Sequence, residues 1–594
     1  MSSNSATVNP TSDGEAAAEE RCSVEEVALV VPETDDPTLP VMTFRAWVLG
    51  LASCTVLIFL NTFFIYRTQP LSISAILMQI AVLPIGKFMA ATLPEKEYTV
   101  FGRWRFSLNP GPFNVKEHVI ITVMANCGVS IGGGDAYSIG AITVMKAYYK
   151  QSLNFICAFL IVLTTQFNTF DSRKFPIFSN QLFTSTGHKY DTTRILTPQY
   201  DLNIAAYEGY SKLYLSPLFA LSIGSGFARF TATLTHVALF NGSDIWKQSR
   251  SAVKNVKLDV HVKLMKSYKQ VPQWWYLVLL VGSIALSLMM SFVWKEDVQL
   301  PWWGMLFAFV LAWVVTLPIG VIQATTNQQP GYDIIAQFII GYILPGKPIA
   351  NLLFKIYGRI STIHALSFLA DLKLGHYMKI PPRCMFTAQL VGTLVSGTVN
   401  LSVAWWMLGS INNICDVEAL HPESPWTCPK FRVTFDASVI WGLIGPERLF
   451  GPGGMYRNLV WLFLIGGVLP VPVWILSKIY PDKKWIPLIN IPVISYGFAG
   501  MPPATPTNIA SWIIAGTIFN YFVFKYRKTW WQRYNYILSA ALDAGTAFMG
   551  VLLFFALQNE GKNVKWWGSE PDHCPLASCP TAPGIVIQGC PVFR

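Results

Sequence analysis

The stretch that decides the fold is Trp47–Phe64, which reads WVLGLASCTVLIFLNTFF and carries no charged side chain. A bilayer core about 30 Å thick is crossed by about 20 consecutive apolar residues in a helix. A spanning helix also satisfies its own backbone hydrogen bonds, which lipid cannot do. The stretch therefore predicts a transmembrane α-helix.

Apolar stretches of this kind recur along the chain, with no long polar domain between them. They predict an all-α polytopic membrane protein, a multi-span helical bundle with broken or re-entrant helices. The other clear candidate spans are Leu71–Leu93, Leu213–Phe240, Trp275–Val293, Gly304–Gln323, Met385–Leu408, Leu459–Ile479, Ile509–Phe524 and Tyr536–Leu557.

The composition agrees with a membrane protein. Of the 594 residues, 52% are hydrophobic and 13% are charged. Soluble domains carry about 25% charged residues, so this chain has too little charge for a water-facing surface. Its net charge of +11 is concentrated beside spans, in the loop 241–274 and in Lys525–Arg533, as the positive-inside rule expects. That position, and the lack of any groove-reading module, argue against nucleic-acid binding.

Motifs for other classes of activity are absent from the sequence. It contains no P-loop, no nucleophile elbow and no helix with paired zinc-binding histidines. An ATP-driven pump and an intramembrane hydrolase are therefore disfavoured, and the chain is predicted not to be an enzyme.

The distribution of charge also predicts three regions. Residues 1–42 are acidic and polar, which is typical of a disordered cytosolic tail. Residues 43–557 form the predicted transmembrane transporter domain, with the basic loop 241–274 in the cytosol and the loop 410–435 outside. Residues 558–594 are then a cysteine-containing extracellular tail.

Several apolar segments are interrupted by glycine, proline or polar residues. Irregular backbone at membrane depth survives only where it is buried in protein or lines a wet cavity. Such segments indicate a transport site, although simple packing of kinked helices explains them as well. They are Val119–Met145, Gly331–Ile343, Ile360–Leu372 and Trp485–Met501.

Polar and ionisable residues within or beside spans are candidates for function, because burying them in a membrane is costly. Asp543 lies about two turns into the last predicted span and is expected to face the interior of the bundle. Asp333 follows the polar run Thr325–Gly331. The candidates of this kind are Arg229, His236, Asn327, Gln328, Asp333 and Asp543.

A rigid turn, Asn109–Asn114, precedes the charged residues Lys116, Glu117 and His118. Proline and glycine hold such a turn with little loss of entropy, so Asn109 and Asn114 are candidates for substrate contact. A carboxylate beside a histidine at a membrane boundary is suited to binding and releasing a proton near neutral pH. The alternative is a helix N-terminus at which Glu117 complements the dipole.

A second rigid run, Lys379–Arg383, follows His376 and precedes a long span. Its two cations are suited to holding a substrate carboxylate, which Arg383 would bind in a bidentate manner. Simple anchoring of the span on its cytosolic side is the alternative.

The cysteines of the predicted outer regions are candidates for disulfides, because the exterior is oxidising. Cys415 and Cys428 lie in the loop, and Cys574, Cys579 and Cys590 lie in the tail. The odd number in the tail leaves one thiol unpaired or paired with the loop. A zinc site is the alternative, which no His–Cys spacing supports strongly.

Seven runs together are characteristic of a known family: Asn109–His118, Thr325–Gly331, Gly375–Arg383, Ser424–Pro429, Phe435–Pro446, Met501–Pro506 and Tyr526–Ala540. In these runs the chain resembles the oligopeptide transporter family, specifically its plant peptide-transporter branch. The resemblance covers nearly the whole chain, including the cysteine-containing tail. It implies proton-coupled uptake of tetra- and pentapeptides or glutathione-like peptides, usually at the plasma membrane, and in some members transport of iron or copper complexes. It implies no cofactor beyond the proton gradient.

One departure from the family concerns the centre of the chain. Family members are usually longer, and the resemblance runs to Gln166 and resumes near Ser172. A central block of helices is therefore expected to be missing near Gln166–Asp171. The short apolar stretch Asn154–Thr165, which ends abruptly in polar residues, is an independent sign of the same break.

The leading hypothesis is a secondary active transporter that carries small oligopeptides by proton-coupled symport through the lipid bilayer. Two alternatives stay open. One is a transporter of metal ions or metal chelates, which clustered Met, Cys or His would favour, whereas Met289, Met290 and Cys127 are scattered. The other is a non-transporting shortened isoform. The sequence leaves the exact substrate, the proton-carrying residue and the oligomeric state open.

Overall fold

The computed structural model describes residues 31–32, 34–67, 73–100, 104–132, 174–175, 181–197, 201–251, 260–415, 419–421, 424–483, 485–499, 513–557 and 585. In this part of the chain, seven helices are long and apolar enough to cross a membrane. Only two short antiparallel strand pairs accompany the helices there. The predicted all-α, multi-span fold class is confirmed.

The first half of the described chain contains ten helices. They are α1 (Phe44–Ile65), α2 (Ala75–Thr92), α3 (Val115–Gly132), α4 (Ile204–Tyr210), α5 (Pro217–Phe240), α6 (Gly242–Ser251), α7 (Val260–Met265), α8 (Gln273–Val293), α9 (Lys295–Val298) and α10 (Trp302–Thr326).

The second half of the described chain is helical throughout. Its helices are α11 (Asp333–Ile343), α12 (Pro348–Lys355), α13 (Ser361–Tyr377), α14 (Pro382–Ser410), α15 (Pro429–Ser438), α16 (Pro446–Phe450), α17 (Trp461–Val468), α18 (Pro470–Ile479), α19 (Ile491–Ala499), α20 (Ile513–Tyr526) and α21 (Lys528–Ala556).

Irregular helical turns and short strands complete the described structure. Three π-turns lie at Ile356–Ile360, Val439–Ile444 and Ile518–Val523. Three 3-10 turns lie at Thr192–Ile195, Arg457–Val460 and Ile486–Leu488. Strand β1 (Glu97–Val100) pairs antiparallel with β2 (Trp104–Ser107), and β3 (Leu182–Phe183) pairs antiparallel with β4 (Tyr214–Leu215). Because β4 ends just before Ser216, α5 begins at Pro217 rather than at the predicted Leu213.

The helices pack as two groups that meet at α13. In one group α1, α3 and α14 pack against one another, and in the other α5 packs against α10, α11, α17 and α19. Helix α13 contacts α10 of the second group and both α3 and α14 of the first. Helix α13 therefore connects the two groups.

Helices α1 and α14 run parallel and are tied together along their length. Cys54 Sγ lies 3.5 Å from the Gly392 carbonyl, and Thr62 Oγ1 donates to Asn400 Oδ1 at 3.0 Å. Beyond their C-terminal ends, Cys415 and Cys428 form a disulfide, and Cys428 N–H donates to the Tyr66 carbonyl at 3.3 Å. The end of α1 and the loop after α14 therefore lie together.

The acidic segment before α1 packs on the helices at its described end. Lys116 Nζ lies 2.8 Å from Asp35 Oδ1 and donates to the Asp36 carbonyl at 2.7 Å. Asn114 donates to the Pro40 carbonyl at 2.9 Å. The predicted boundary of a disordered tail at residue 42 is therefore corrected: residues 34–42 belong to the folded body, because their carbonyl and carboxylate oxygens satisfy buried donors. Residues 1–30 lie outside the described residues.

Two of the segments predicted to be broken form a returning pair of helices. Helix α11 is short, turns at 344–347 and is followed by α12, which continues through the π-turn Ile356–Ile360 into α13. Single π-turns within helices are frequently found at functional sites. The segment Trp485–Met501 is a 3-10 turn followed by α19, which ends at Ala499. Of Val119–Met145, the residues beyond 132 lie outside the described ones.

Candidate functional site

Glu117, a predicted proton carrier, forms a buried ion pair with Arg45 at the start of α1. Arg45 Nη2 donates to both carboxylate oxygens of Glu117, at 3.0 and 3.1 Å, and both side chains are fully buried. Thr43 Oγ1, which also caps α1, donates to the same carboxylate. The arginine and the hydroxyl thus satisfy this carboxylate within the protein interior. The carboxylate is therefore suited to a structural role.

The turn before α3 has the geometry of a capping box. Asn114 Oδ1 accepts from Glu117 N–H at 3.0 Å, and Glu117 Oε2 accepts from Asn114 N–H at 3.0 Å. This reciprocal pairing satisfies free donors at a helix N-terminus. The structure thus matches the alternative interpretation of Glu117 as a helix-capping residue.

Asn109 joins this turn to two other helices. Its side-chain amide donates to the Ala90 and Leu93 carbonyls at the end of α2, at 2.8 and 2.9 Å. Its Oδ1 accepts from Arg45 Nη1 at 3.0 Å. Asn109, Asn114, Arg45 and Glu117 together form a junction of α1, α2 and α3. His118 points elsewhere, toward the Gln79 carbonyl at 2.9 Å.

The structure does not bring Lys379 and Arg383 together on one ligand. Lys379 Nζ donates to the Pro32 carbonyl of the acidic segment. Arg383 Nε donates to the Gln270 carbonyl at 3.1 Å and is exposed. His376 lies against the rings of His261 and Tyr377. In the described structure the two cations thus contact separate backbone carbonyls, and the carboxylate clamp stays a prediction.

A cationic cluster surrounds Asp333 at the start of α11. Arg359, in the π-turn, places Nε 3.4 Å from Asp333 Oδ2. Lys355 and Arg229 lie close enough to act electrostatically on the same carboxylate. All three cations are buried. Among the described residues, Asp333 thus lies within reach of three buried cations that come from different parts of the bundle.

Part of the hydrogen-bonding capacity of this cluster is unused. Arg229 Nε and Arg359 Nη1 are buried and have no hydrogen-bond partner in the described structure. Arg229 instead stacks over the ring of Tyr496, and Arg359 over that of Tyr332. Buried donors are normally paired, so free ones indicate a place where another group binds.

The backbone around the cluster leaves space for charged groups. A Cβ atom on Gly331 would lie 2.5 Å from Asp333 Oδ2 and 3.0 Å from both Nε and Nη2 of Arg359. A larger residue there would have to displace these charged groups. The α11 N-terminus adds its helix dipole at the same place, which favours a negative charge. Asn327 and Gln328 form the preceding turn: Asn327 ends α10 in a left-handed conformation, and Gln328 N–H donates to Thr326 Oγ1.

A second buried acid, Asp371, lies on α13. Its Oδ1 accepts from Asn126 Nδ2 of α3 at 2.9 Å, and its Oδ2 accepts from Gln389 Nε2 of α14 at 3.4 Å. Both partners are neutral amides. Asp371 therefore bridges three helices without an ion pair.

Asp543 does not face the interior, contrary to the prediction. Its side chain is exposed on α21, whose contacts with the bundle run through the neighbouring face that carries Ala544 and Ala547. The reason is the position of α21 at the periphery, where it packs mainly against α2. His236 lies near the end of α5, stacked on Phe240. Of the cysteine candidates, Cys574, Cys579 and Cys590 lie outside the described residues.

Sequence reasoning missed four residues that the structure places at these sites. They are Arg45, Lys355, Arg359 and Asp371. Each is a charged residue in or beside an apolar helix, which is a signal that a complete census of such residues would have detected. Only their partners, distant in the chain, distinguish them from anchors at the membrane surface.

Comparison with known proteins places this architecture in a family. The family model described as OPT oligopeptide transporter protein matches residues 41–170 and 167–557. Oligopeptide transporter 3 of Arabidopsis thaliana is 66% identical, with 97% of this chain and 98% of the relative covered. Oligopeptide transporters 2 and 4 of the same plant are 44% and 43% identical, with 96% and 97% of this chain and 97% and 99% of the relatives covered.

The two matched pieces meet at residues 167–170, where the sequence predicted a break. The alignment with oligopeptide transporter 3 extends over 720 positions although this chain has only 594 residues, so well over a hundred positions of the relative have no counterpart here. Nearly all of the remaining chain follows the family. The chain therefore belongs to the oligopeptide transporter family and is a multi-pass membrane transporter rather than an enzyme.

Proposed function

We propose that this transporter carries small peptides by proton-coupled symport across the plasma membrane, and that the cationic cluster of Arg229, Lys355 and Arg359 binds the peptide carboxylate. The observation that carries the proposal is that two buried arginines beside Asp333, Arg229 and Arg359, each keep a guanidinium nitrogen without a hydrogen-bond partner in the described structure. A peptide has a carboxylate at its C-terminus, which is the group that such a cluster recognises.

The chemistry of the cluster suits a carboxylate. Arginine presents a planar fork of donors that binds carboxylates in a bidentate manner, and charge-assisted hydrogen bonds of this kind are among the strongest in proteins. Arg359 already uses Nε on Asp333 and keeps Nη1 free. Arg229 comes from α5 and Arg359 from the π-turn, so a bound carboxylate would join two different parts of the bundle.

The free energy of the cationic cluster favours binding of an anionic ligand. Buried charges without a counter-ion are costly, because desolvation exceeds the attraction that remains. The free guanidinium nitrogens of Arg229 and Arg359 are buried without an acceptor in the described structure. A bound carboxylate would accept hydrogen bonds from them, so binding gains free energy relative to the empty state. The irregular backbone of the turn before α11 and of the π-turn is the kind found where transporters bind their substrates.

The test is uptake of a labelled tetrapeptide in yeast that express this chain, compared with the same peptide bearing a C-terminal amide. We expect uptake of the free acid to exceed that of the amide and to vanish when the pH gradient is collapsed. Arg229→Gln should lower uptake of the free acid by about ten- to a hundredfold, since a lost hydrogen bond to a charged group costs about 1.5–3 kcal/mol. Uptake of the amide should change much less.

The matched control is Arg250→Gln, which removes an exposed cation on α6 that stacks only on Trp246. It should leave uptake unchanged. Equal uptake of acid and amide would overturn the assignment of the cluster. If metal chelates are taken up and no peptide is, the substrate assignment moves to the metal-chelate alternative. If surface-expressed protein takes up neither, the non-transporting shortened form is favoured, and inserting the missing segment of a longer relative should restore uptake.

A further inference from the structure

We infer that Asp371, held between Asn126 and Gln389, is the residue that binds the transported proton. The inference rests on the proposed proton-coupled function and names the site at which coupling takes place. It is carried by the geometry of a half-buried acid whose hydrogen bonds in the described structure come from amides alone.

Among the buried or half-buried acids of the described residues, Glu117, Asp333 and Asp371 can be compared directly by their partners. Glu117 is held by Arg45, and Asp333 by Arg359. Protonating either one would break an ion pair and leave an arginine uncompensated in the protein interior, which is strongly unfavourable. Asp371 is held by two neutral amide groups, at 2.9 and 3.4 Å. It alone of the three can accept a proton without stranding a cation.

The neighbouring Gln389 can serve both protonation states. Its Nε2 donates to the Asp371 carboxylate, while its Oε1 is buried and has no hydrogen-bond partner in the described structure. When a proton adds to Asp371 Oδ2, the resulting carboxylic acid is itself a donor. A half-turn of the Gln389 amide then presents Oε1 to that O–H. The unpaired acceptor next to the carboxylate is thus satisfied when the proton is bound.

The proton balance is simple. A proton from water on the outer side adds to the carboxylate, and the same proton is released to water on the cytosolic side after the conformational change. No bond of the peptide is made or broken. Moving Asp371 through the low-dielectric interior costs less free energy when the side chain is neutral than when it is charged. This difference couples the movement of the proton to the movement of the peptide.

The surroundings of Asp371 contain few other titratable groups. Helix α3 contributes Cys127, which lies within electrostatic reach. Helix α14 carries Arg383 and Cys384 at its start, and α7 brings His261 against His376 and Tyr377 at the end of α13. Helix α10 carries no titratable residue between Trp302 and Thr326. No described cation is hydrogen-bonded to Asp371.

The position of Asp371 also connects it with the cationic cluster. Arg359 lies in the π-turn that continues directly into α13, and Asp371 follows on the same helix. Twelve residues of helix correspond to about 18 Å. Any tilt or axial shift of α13 therefore moves the peptide-binding arginine and the proton-binding acid together.

The experiment uses the full chain in proteoliposomes and measures two reactions of a labelled tetrapeptide. One is uptake driven by an inward pH gradient, and the other is exchange of labelled for unlabelled peptide without a gradient. Asp371→Asn should reduce gradient-driven uptake about tenfold or more while exchange stays within about twofold of the wild type, because binding and helix movement remain. Asp371→Glu should retain part of the gradient-driven uptake. Asp543→Asn, on the exposed face of α21, is the matched control and should change neither reaction.

A readout independent of transport follows the proton directly. In pH-difference infrared spectra, a carboxylic-acid C=O band should disappear in Asp371→Asn and persist, shifted, in Asp371→Glu. If the wild type shows gradient-driven uptake and Asp371→Asn retains it together with the band, the assignment of Asp371 is overturned while the proposed function stands. If the wild type shows no gradient-driven uptake, proton-coupled transport is contradicted. The infrared band alone then tests whether Asp371 binds a proton. Its loss in Asp371→Asn supports Asp371 as a proton-binding residue, and its persistence overturns that as well.

Discussion

Arg45 and Glu117, on α1 and α3, are joined by hydrogen bonds from one guanidinium nitrogen to both carboxylate oxygens, and neither side chain is exposed to solvent. The two residues are far apart in the chain, and around them converge the acidic segment, the end of α2 and the starts of α1 and α3. We therefore assign these two charges to the stability of the fold rather than to transport.

The junction predicts a large loss of stability when one of its charges is removed. Glu117→Gln should destabilise the protein by about 3–5 kcal/mol, because the buried Arg45 is left without its counter-charge. Thermal unfolding in detergent and the amount of protein at the cell surface measure this effect. The double variant Arg45→Leu with Glu117→Leu should be less damaging than the sum of the single changes. A stable Glu117→Gln protein that has lost only its response to pH would contradict the structural role.

Gly331 predicts a loss of transport without a loss of folding. In Gly331→Ala the new methyl group meets Asp333 and Arg359 at 2.5–3.0 Å, so the ion pair must separate. Peptide uptake should fall about tenfold or more, in keeping with the cost of a misplaced binding group. Uptake normalised to surface protein measures this. Gly453→Ala, at a position with no atom within 4 Å of the added Cβ, is the control. Equal uptake in both variants would show that the cluster does not bind substrate.

The free energy of unfolding is expected to depend on whether the disulfide between Cys415 and Cys428 is intact or reduced. Cys428→Ser should lower the free energy of unfolding by about 2–4 kcal/mol, because the loop between α14 and α15 is no longer closed. Thermal unfolding with and without reductant should show the same difference in the wild type and none in the variant. Cys384→Ser, which removes a free thiol, is the control. A wild-type transition that ignores reductant would argue against the bond.

The contact between the acidic segment and Tyr268 is expected to persist at neutral pH. Tyr268 Oη donates to Asp35 Oδ2 at 2.6 Å and accepts from Lys116 at 2.8 Å. Burial raises the pKa of the Tyr268 phenol above its ordinary value. The protonated phenol that makes this contact is thus present below the ordinary pKa, about 10, and is lost only as pH rises beyond it.

Asp35→Asn should therefore loosen the segment at neutral pH, by about 1 kcal/mol for a partly buried pair at the surface. Limited proteolysis between residues 34 and 42 should become several times faster. Asp36→Asn is the matched control, since the Asp36 carboxylate bonds only to Thr38 and its carbonyl, not its side chain, contacts Lys116. Equal proteolysis of the two variants would contradict the role of Asp35.

Much of the fold could be predicted because spanning helices are decided locally. Trp47–Phe64 and Trp275–Val293 fall within α1 and α8, since an apolar run of the required length has few alternatives in a bilayer. The site was harder to predict. Asp333 stood out in its polar run, but its partners Arg229 and Arg359 come from two other elements. Asp371 lies in an ordinary-looking apolar segment, and only the packing of α3 and α14 around it reveals its environment.

The parallel pair of α1 and α14 has a mechanical consequence. Its two helices are bonded at Cys54–Gly392 and Thr62–Asn400, and beyond their ends the disulfide-bonded Cys428 donates its N–H to the carbonyl of Tyr66 after α1. Contacts at several positions along the two helices oppose sliding of one helix past the other. The pair therefore acts as one frame, and a rocking motion that opens the molecule first to one side and then to the other would move this frame against the group around α5, with α13 in contact with both.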